Sequence, residues 1–510
     1  MVKDPVMALE PGFDDFAAEF DSGLNQVVYT RLAADLDTPV SLMLKLAQAR
    51  KDSFMLESVT GGEVRGRYSV IGMKPDLIWE CHGTTSRLNR DARYDPDAFQ
   101  PLEGDPLAEL RKLIAESRIE LPEGMPPIAA GLFGFLGYDM IRLVEDLPDV
   151  NPDPLNLPDA VMMRPSVVVV LDGVKGEVTV VSPAWANSGL SARAAYAQAA
   201  ERVMDAVRDL DRQAPNETRD LGDQARVAEP VSNTSKKEYF AMVEKARDYI
   251  RAGDIFQVVP SQRWSQDFTL PPFALYRALR RTNPSPYMFY FNFGGFQVIG
   301  ASPEILVRLQ GNEVTIRPIA GTRPRGDTAE ADKAYELELL ADPKERAEHL
   351  MLLDLGRNDV GRVAKTGTVN PNEQYLIERY SHVMHIVSNV VGELREDEDA
   401  LSALLAGLPA GTVSGAPKIR AMQIIDELEH EKRGVYGGGV GYFSSNGDMD
   451  ICIALRTAVT KDEKLYIQAG GGVVYDSDPE AEFQETINKS KALSQAAKDA
   501  GLFVKFSGQN

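Results

Sequence analysis

Apolar and polar positions follow regular periods in two regions of this chain, and a polar stretch without periodicity lies between them. In the first region FMLESV and RYSVIG alternate as strands do, VVVVLDG and GEVTVVS form the arms of a predicted hairpin, and SARAAYAQAAERVMDAVRDL repeats its apolar residues at helical spacing. Residues 211–235, which include RQAPNETRDLGDQARVAEPVSNTS, carry neither period and read as a linker. Beyond them, helices such as KKEYFAMVEKARDYIRAG alternate with predicted strands FQVIGAS, EILVRL, NEVTIRP, HIVSNVVGEL, GGVGYFSS, DICIALRTAV and KLYIQAGGGVV. Helices among paired antiparallel strands predict an α+β fold, with an N-terminal region over 20–210 and a second domain over 236–506. There is no repeat of fixed period and no low-complexity tract.

Two helices have marked starts. Asp342 and Pro343 supply an N-cap and a first-turn proline, and the spacing predicts a helix through ERAEHLMLLDL to Gly356. Glu348 and His349 therefore lead into an apolar run, where a carboxylate needs a cation, a metal or a proton. Asp478 and Pro479 open a second helix carrying Glu482, Glu485 and Lys489, whose side chains fall within about 60° of one another. Carboxylates from two helices suit a hard divalent ion such as Mg²⁺. An ordinary surface ion pair between Glu485 and Lys489 is the competing reading.

Composition narrows the chemistry. A net charge of -21 over 510 residues and a pI near 4.8 argue against nucleic acid, and no apolar run is long enough for a membrane span. The segment MVKDPVMALEPGFDDFAAEF lacks the features of a secretory signal, and the two cysteines, Cys81 and Cys452, imply no disulfide framework, so a cytoplasmic setting is expected. Against the acidic trend, RPIAGTRPRG gathers Arg317, Arg323 and Arg325, as an anion site or as a solvated basic loop. The glycines of QAGGGVV and GVYGGGVGY either line an anion nest or permit tight strand packing. GTVSGAPK departs from the phosphate-binding loop pattern. His349, His382 and His385 lie close in sequence. SHVMHIVSNVV should be a strand, however, where i and i+3 face opposite ways, so zinc chelation is not expected and an inward His385 is either a proton carrier or a core histidine.

The ordered set PIAGTRPRG, ERAEHLMLLDLGRNDVGR, RYSHVMH, GTVSGAPK, GVYGGGVGY, CIALRTAV and DPEAEFQETINKSKAL resembles the chorismate-utilising enzymes, and within them the anthranilate synthase component I family. The resemblance is dense from Lys236 to Leu493 and extends through FMLESVTGGEVRGRYSVIG. It implies a four-layer α/β/β/α core of two orthogonally packed, mainly antiparallel sheets, and the reaction of chorismate with ammonia to give anthranilate and pyruvate, assisted by Mg²⁺. By motif position it implies Glu348 and Glu485 as metal ligands with Glu482 beside them, and Glu304 as the general acid. Tyr436, Arg456, Lys489 and the glycines Gly470, Gly471 and Gly472 would hold the substrate carboxylates, Thr412 would line the pocket, and His385 would serve the second half-reaction. Two positions separate relatives with different nucleophiles: Gln257 stands where water-activating members carry a lysine, and Ala320, before Gly321 and Thr322, stands where aminodeoxychorismate synthases carry a nucleophilic lysine. Free ammonia is then the attacking group, with aminodeoxychorismate synthase component I as the alternative. Neither cysteine sits in a G-x-C-x-G setting, which implies a separate glutamine amidotransferase subunit in a heterotetramer of two chains of each kind. Leu56, Glu57, Ser58, Asn283, Pro284, Pro286, Tyr287 and Met288 resemble a tryptophan inhibitor pocket, or form plain core packing.

Overall fold

The computed structural model describes residues 8–47, 50–59, 66–213, 218–219, 228–380 and 383–506. Its centre is a pair of long antiparallel strands, Tyr68–His82 and Ala160–Asp172. The second of these pairs with Gly131–Leu136 near its start and with Glu177–Ala184 near its end, so the sheet parts in two directions from it.

One direction leads from Tyr68–His82 through Ser53–Glu57, Tyr287–Asn292, Phe296–Ser302, Thr457–Lys461 and Lys464–Gly470 to Ser261–Asp267. The other leads from Gly131–Leu136 through Gly439–Ser444, Met449–Ile453, Ile305–Gln310 and Glu313–Ile316 to Val383–Glu393, which also pairs with Ile319–Pro324 and Asn370–Arg379. Every one of these pairings is antiparallel, so the α+β expectation holds. Strands from before and after residue 211 join in both halves, through the pairings of Ser53–Glu57 with Tyr287–Asn292 and of Gly131–Leu136 with Gly439–Ser444.

Three apolar layers separate helices, sheet, sheet and helices. Phe54, Phe133, Phe289 and Phe291 fill the space between the two halves of the sheet, and the Phe54 and Phe133 rings stack at 4.5 Å. Helices Ala192–Leu210, Pro272–Thr282 and Pro479–Asp499 close one outer layer, and helices Pro343–Val363 and Ala400–Gly407 close the other. Burial on this scale dominates folding, at about 25 cal/mol for each Å² of apolar surface removed from water.

Three local departures from the sequence pattern matter. The first acidic helix runs seven residues past its expected end at Gly356, to Val363. Gly356 is not a stop: a Cβ there would stand 3.4 Å from Ile316, so the glycine admits the close approach of helix and strand. The predicted linker contains Thr218–Arg219, paired with Lys505–Phe506, and Val231–Ser232, paired with Trp264 and Ser265. Pairings of two residues are too short to show a period. DICIALRTAV is not one strand but two, Met449–Ile453 and Thr457–Lys461, broken at Arg456 with φ +46°.

Candidate active site

The break at Arg456 carries the chain from one half of the sheet to the other. A second crossing lies alongside it, where Phe296–Ser302 gives way to Ile305–Gln310 through Pro303 and Glu304. Proline cannot donate to a ladder and favours such a break. The Ile453 amide donates to the Glu304 carbonyl at 3.0 Å, and the Ala301 amide to the Arg456 carbonyl at 3.2 Å, so the crossings are locked together. A carboxyl and a guanidinium cation therefore sit where the two halves of the sheet part.

Glu304 is buried, and burial pushes its pKa up to about 8 against opposing help from the Thr412 hydroxyl, which donates to Oε1 at 2.9 Å, and from the Ile319 amide. That last contact places the PIAGT motif, and Ala320, directly beside the acid. The Arg456 guanidinium has no carboxylate partner among the described residues. A half-buried cation without a paired anion is costly unless a ligand supplies one.

The second acidic helix, Pro479–Asp499, forms another wall. Asp478 accepts from the Ala481 amide at 2.9 Å and so caps it, as its spacing predicts. Lys489 pairs with Glu485 at 2.7 Å and donates to the Gly470 carbonyl at 2.9 Å. The glycine tract allows this closeness. A Cβ at Gly470 would stand 3.1 Å from the Tyr436 hydroxyl, one at Gly471 3.1 Å from Glu482 Oε2, and one at Gly472 2.7 Å from Gln257 Nε2. Tyr436 is buried, and the Arg433 guanidinium lies over its ring.

Glu348 accepts from Gln257 Nε2 at 3.3 Å, and its pKa is raised by burial and by the neighbouring charge of Glu345. Glu482 is pushed up to about 7, chiefly by burial, with the Ser477 hydroxyl donating to Oε1 at 2.7 Å while Oε2 is buried without a partner. Among the described residues no three His, Cys, Asp or Glu side chains converge as a ready metal cage. Carboxylates crowded on two facing helices, one with an unmatched oxygen, nevertheless fit Mg²⁺, which takes one or two protein carboxylates and leaves its other positions to water and substrate.

His385 lies on strand Val383–Glu393. Its Nδ1 sits 2.9 Å from the Gly321 carbonyl and 3.1 Å from Thr322 Oγ1, and burial pulls its pKa down. With Nδ1–H donating to the carbonyl, Nε2 keeps its lone pair. His349 is remote in role: it is fully buried, contacts Ser388 Oγ at 2.5 Å, and burial lowers its pKa to about 4. His382 lies outside the described residues.

The arginines of RPIAGTRPRG are neutralised locally. Arg323 binds Glu338, Asp342 and Glu345 at 2.8–3.0 Å, which ties the loop to the start of the first acidic helix, and Arg325 binds Asp332 at 2.7 Å. Arg317 pairs with Glu378 and faces a cavity of about 570 Å³. Of the residues that the resemblance implies for an inhibitor pocket, Leu56, Ser58, Pro286, Tyr287 and Met288 line that cavity, and Asn283 and Pro284 stand off its wall. Glu57 borders it, yet its carboxylate is held by Arg280 at 2.6 Å and by the Tyr276 hydroxyl. Pattern reading missed Arg308, Asp450 and Tyr380, which also line the cavity. They come from strands far apart in sequence, so no local signal joins them.

The family described as chorismate binding enzyme matches residues 54–495. Anthranilate synthase component 1 of Cereibacter sphaeroides is 77% identical over 97% of this chain and 99% of its own length, and that of Pseudomonas putida is 51% identical over 91% and 93%. The crystal structure of anthranilate synthase component I from Streptococcus pneumoniae superposes with a TM-score of 0.75 at 39% identity, covering 91% of this chain and 98% of that one. The menaquinone-specific isochorismate synthase of Escherichia coli shares the fold, with a TM-score of 0.69 at 18% identity, covering 95% of this chain and 98% of that one. The chain belongs to the chorismate-binding enzymes and, within them, to the anthranilate synthase component 1 family.

Proposed function

We propose that the chain converts chorismate and ammonia to anthranilate, pyruvate and water, as the synthase subunit in the first step of tryptophan biosynthesis. One observation carries the chemistry: a buried carboxyl, Glu304, bonded by the Thr412 hydroxyl beside a guanidinium that makes no ion pair among the described residues, with burial pushing the carboxyl up to about 8. Chorismate brings two carboxylates and a ring hydroxyl that must leave. Arg456 takes one carboxylate through paired N–H donors, with the Tyr436 hydroxyl and the Gly472 amide beside it, and Lys489 completes the grip. Glu304 donates its proton to the departing hydroxyl, and Thr412 orients the carboxyl.

Ammonia forms the new C–N bond. Ala320 offers no side-chain nucleophile and Gln257 cannot act as a base toward water, so neither competes, which disfavours the aminodeoxychorismate reading. His385 Nε2 then accepts the ring proton as pyruvate leaves. Held between Glu348 and Glu485, with Glu482 beside them, Mg²⁺ would supply positive charge to a substrate carboxylate and to the leaving oxygen. Ammonia comes from a separate glutamine amidotransferase subunit, in a heterotetramer of two chains of each kind. Both cysteines are buried with thiols pushed up by burial, Cys81 to about 12, which suits packing rather than glutamine hydrolysis.

The cavity fits a feedback inhibitor such as tryptophan. Its walls are apolar at Leu56, Ile128, Met288 and Phe289 and charged at Arg317, Glu378, Arg308 and Asp450, as a zwitterion with a large side chain requires. Arg317 Nε and Asp450 Oδ1 have no hydrogen-bond partners, a donor and an acceptor left to match. Ser58→Phe should fill the cavity and relieve inhibition.

The purified chain with chorismate, Mg²⁺ and ammonium salt should generate anthranilate fluorescence that EDTA abolishes and tryptophan suppresses. No fluorescence under any of these conditions defeats the proposal, and full activity in Glu485→Gln defeats the metal assignment alone.

A further inference from the structure

The cavity and the catalytic histidine share one wall, and a single side chain stands on both sides of it. Tyr380 lines the cavity, and its ring meets the His385 imidazole edge-on, with centroids 5.5 Å apart and planes at 63°. It also lies within electrostatic reach of Arg456. We propose that Tyr380 is the positioning residue through which occupancy of the cavity is felt at His385.

The backbone of Tyr380 is anchored. Its amide donates to the Val383 carbonyl at 2.8 Å, and its carbonyl accepts from Arg325 Nη1 at 2.8 Å, while Arg325 is itself bound to Asp332. A change in the cavity therefore reaches this residue through its side chain. The Tyr380 hydroxyl donates to Glu378 Oε2 at 3.0 Å, the carboxylate that also holds Arg317. Glu378 stands directly opposite His385 in the strand pair. Arg317, Glu378 and Tyr380 thus form one polar network facing the cavity, and His385 lies behind it.

A ligand with an ammonium and a carboxylate competes for this network. An ammonium drawn to Glu378, or a carboxylate drawn to Arg317, changes what the Tyr380 hydroxyl is bonded to, and the ring turns with it. His385 is held on its other side by the Gly321 carbonyl, so a turn of the Tyr380 ring changes the tilt of the imidazole plane. The effect must be reciprocal: whatever the cavity ligand does to substrate binding, substrate does to the ligand by the same factor. The inference rests on the reading that the cavity takes tryptophan.

Titration calorimetry of the full chain with tryptophan, with and without saturating chorismate and Mg²⁺ and in the absence of any ammonia source, reads that factor without turnover. In the wild type, chorismate should weaken tryptophan binding tenfold or more, within the usual range of such couplings. Tyr380→Phe keeps the ring but breaks the hydroxyl to carboxylate link, and Tyr380→Leu also removes the ring that meets His385. In both, the factor should fall below about threefold, while the Kd for tryptophan alone stays within about threefold of the wild type. An undiminished factor in both variants overturns the inference. So does loss of tryptophan binding in both, which would make Tyr380 a ligand contact rather than a link. A wild type that binds no tryptophan sinks the cavity reading itself, and that failure is seen before any variant is made.

Discussion

The arginines of the 317–325 loop and the guanidinium of Arg456 carry the same charge in opposite circumstances. Arg323 and Arg325 stand among carboxylates at the protein surface, three around Arg323 alone. Arg456 sits where the chain crosses between sheet halves, in a left-handed backbone conformation, without an anion. A run of cations marks a place where charge is already balanced by neighbours. An anion-binding site is marked by what is left unbalanced, and among the described residues at the crossing of the two sheet halves that includes the Arg456 guanidinium, the buried Glu304 carboxyl and, on the neighbouring wall, an unmatched carboxylate oxygen of Glu482.

The largest effect should come from the acid. Glu304→Gln preserves shape but has no proton to give, and kcat should fall about a thousandfold. The pH profile sharpens the test. In the wild type the protonated form is lost above about 8, so kcat/KM should decline above that pH, and the variant should lack this limb. Stability follows with a definite sign. The folded pKa lies above the ordinary glutamate value of 4.5, so the unfolded chain ionises first, and stability present below 4.5 is lost as pH rises toward about 8. Glu304→Gln should flatten the fall in Tm across that window. A variant that keeps a tenth of the activity, or keeps the alkaline limb, removes Glu304 from the role.

The arginine comparison can be broken directly. Arg456→Gln should lower kcat/KM about a hundredfold, roughly 3 kcal/mol for a desolvated charge pair with the substrate. Arg323→Gln should leave kcat/KM within about threefold and lower the Tm by a few degrees, since its partners are surface carboxylates at the cap of the first acidic helix. Equal catalytic losses in the two variants would end the distinction.

Much of the fold was legible in the chain because period and capping act locally. Asp342 and Asp478 both cap helices where their spacing predicts, and FQVIGAS and NEVTIRP contain the strands Phe296–Ser302 and Glu313–Ile316. The break at Arg456 was not legible, since CIALRTAV has the composition of an unbroken strand and only the pairing of its two ends with different neighbours divides it. Motif resemblance placed Glu304, Arg456 and His385 at one site, but residue types alone left Glu485 and Lys489 as an ordinary ion pair, and that pair does form. The cavity was half legible: Leu56 and Met288 lie on two adjacent strands with Ser58 just past the end of one, whereas Tyr380, just past the end of Asn370–Arg379, arrives through tertiary packing. Glu57 borders the cavity, yet its carboxylate is engaged by Arg280 and Tyr276.

The smallest effect tests the glycines, where the same contrast recurs between positions that are crowded and positions that are open. At Gly472 a methyl group would stand 2.7 Å from Gln257 Nε2, whereas at Gly501 it would meet nothing within 4 Å. Gly472→Ala should therefore push the Gln257 amide off Glu348 and lower kcat/KM about tenfold, while Gly501→Ala, on a short helical turn, should leave it unchanged. The cause can be separated from a general loosening of the loop by a double-mutant cycle. If the clash with Gln257 is the whole effect, Gln257→Ala in the Gly472→Ala background adds little further loss, because the group that clashes is gone and the contact with Glu348 was already broken. Additive losses would mean that Gly472 acts through its own amide on the substrate instead. That outcome would make the carboxylate contact proposed for the Gly472 amide, rather than the space left for Gln257, the reason a glycine stands there.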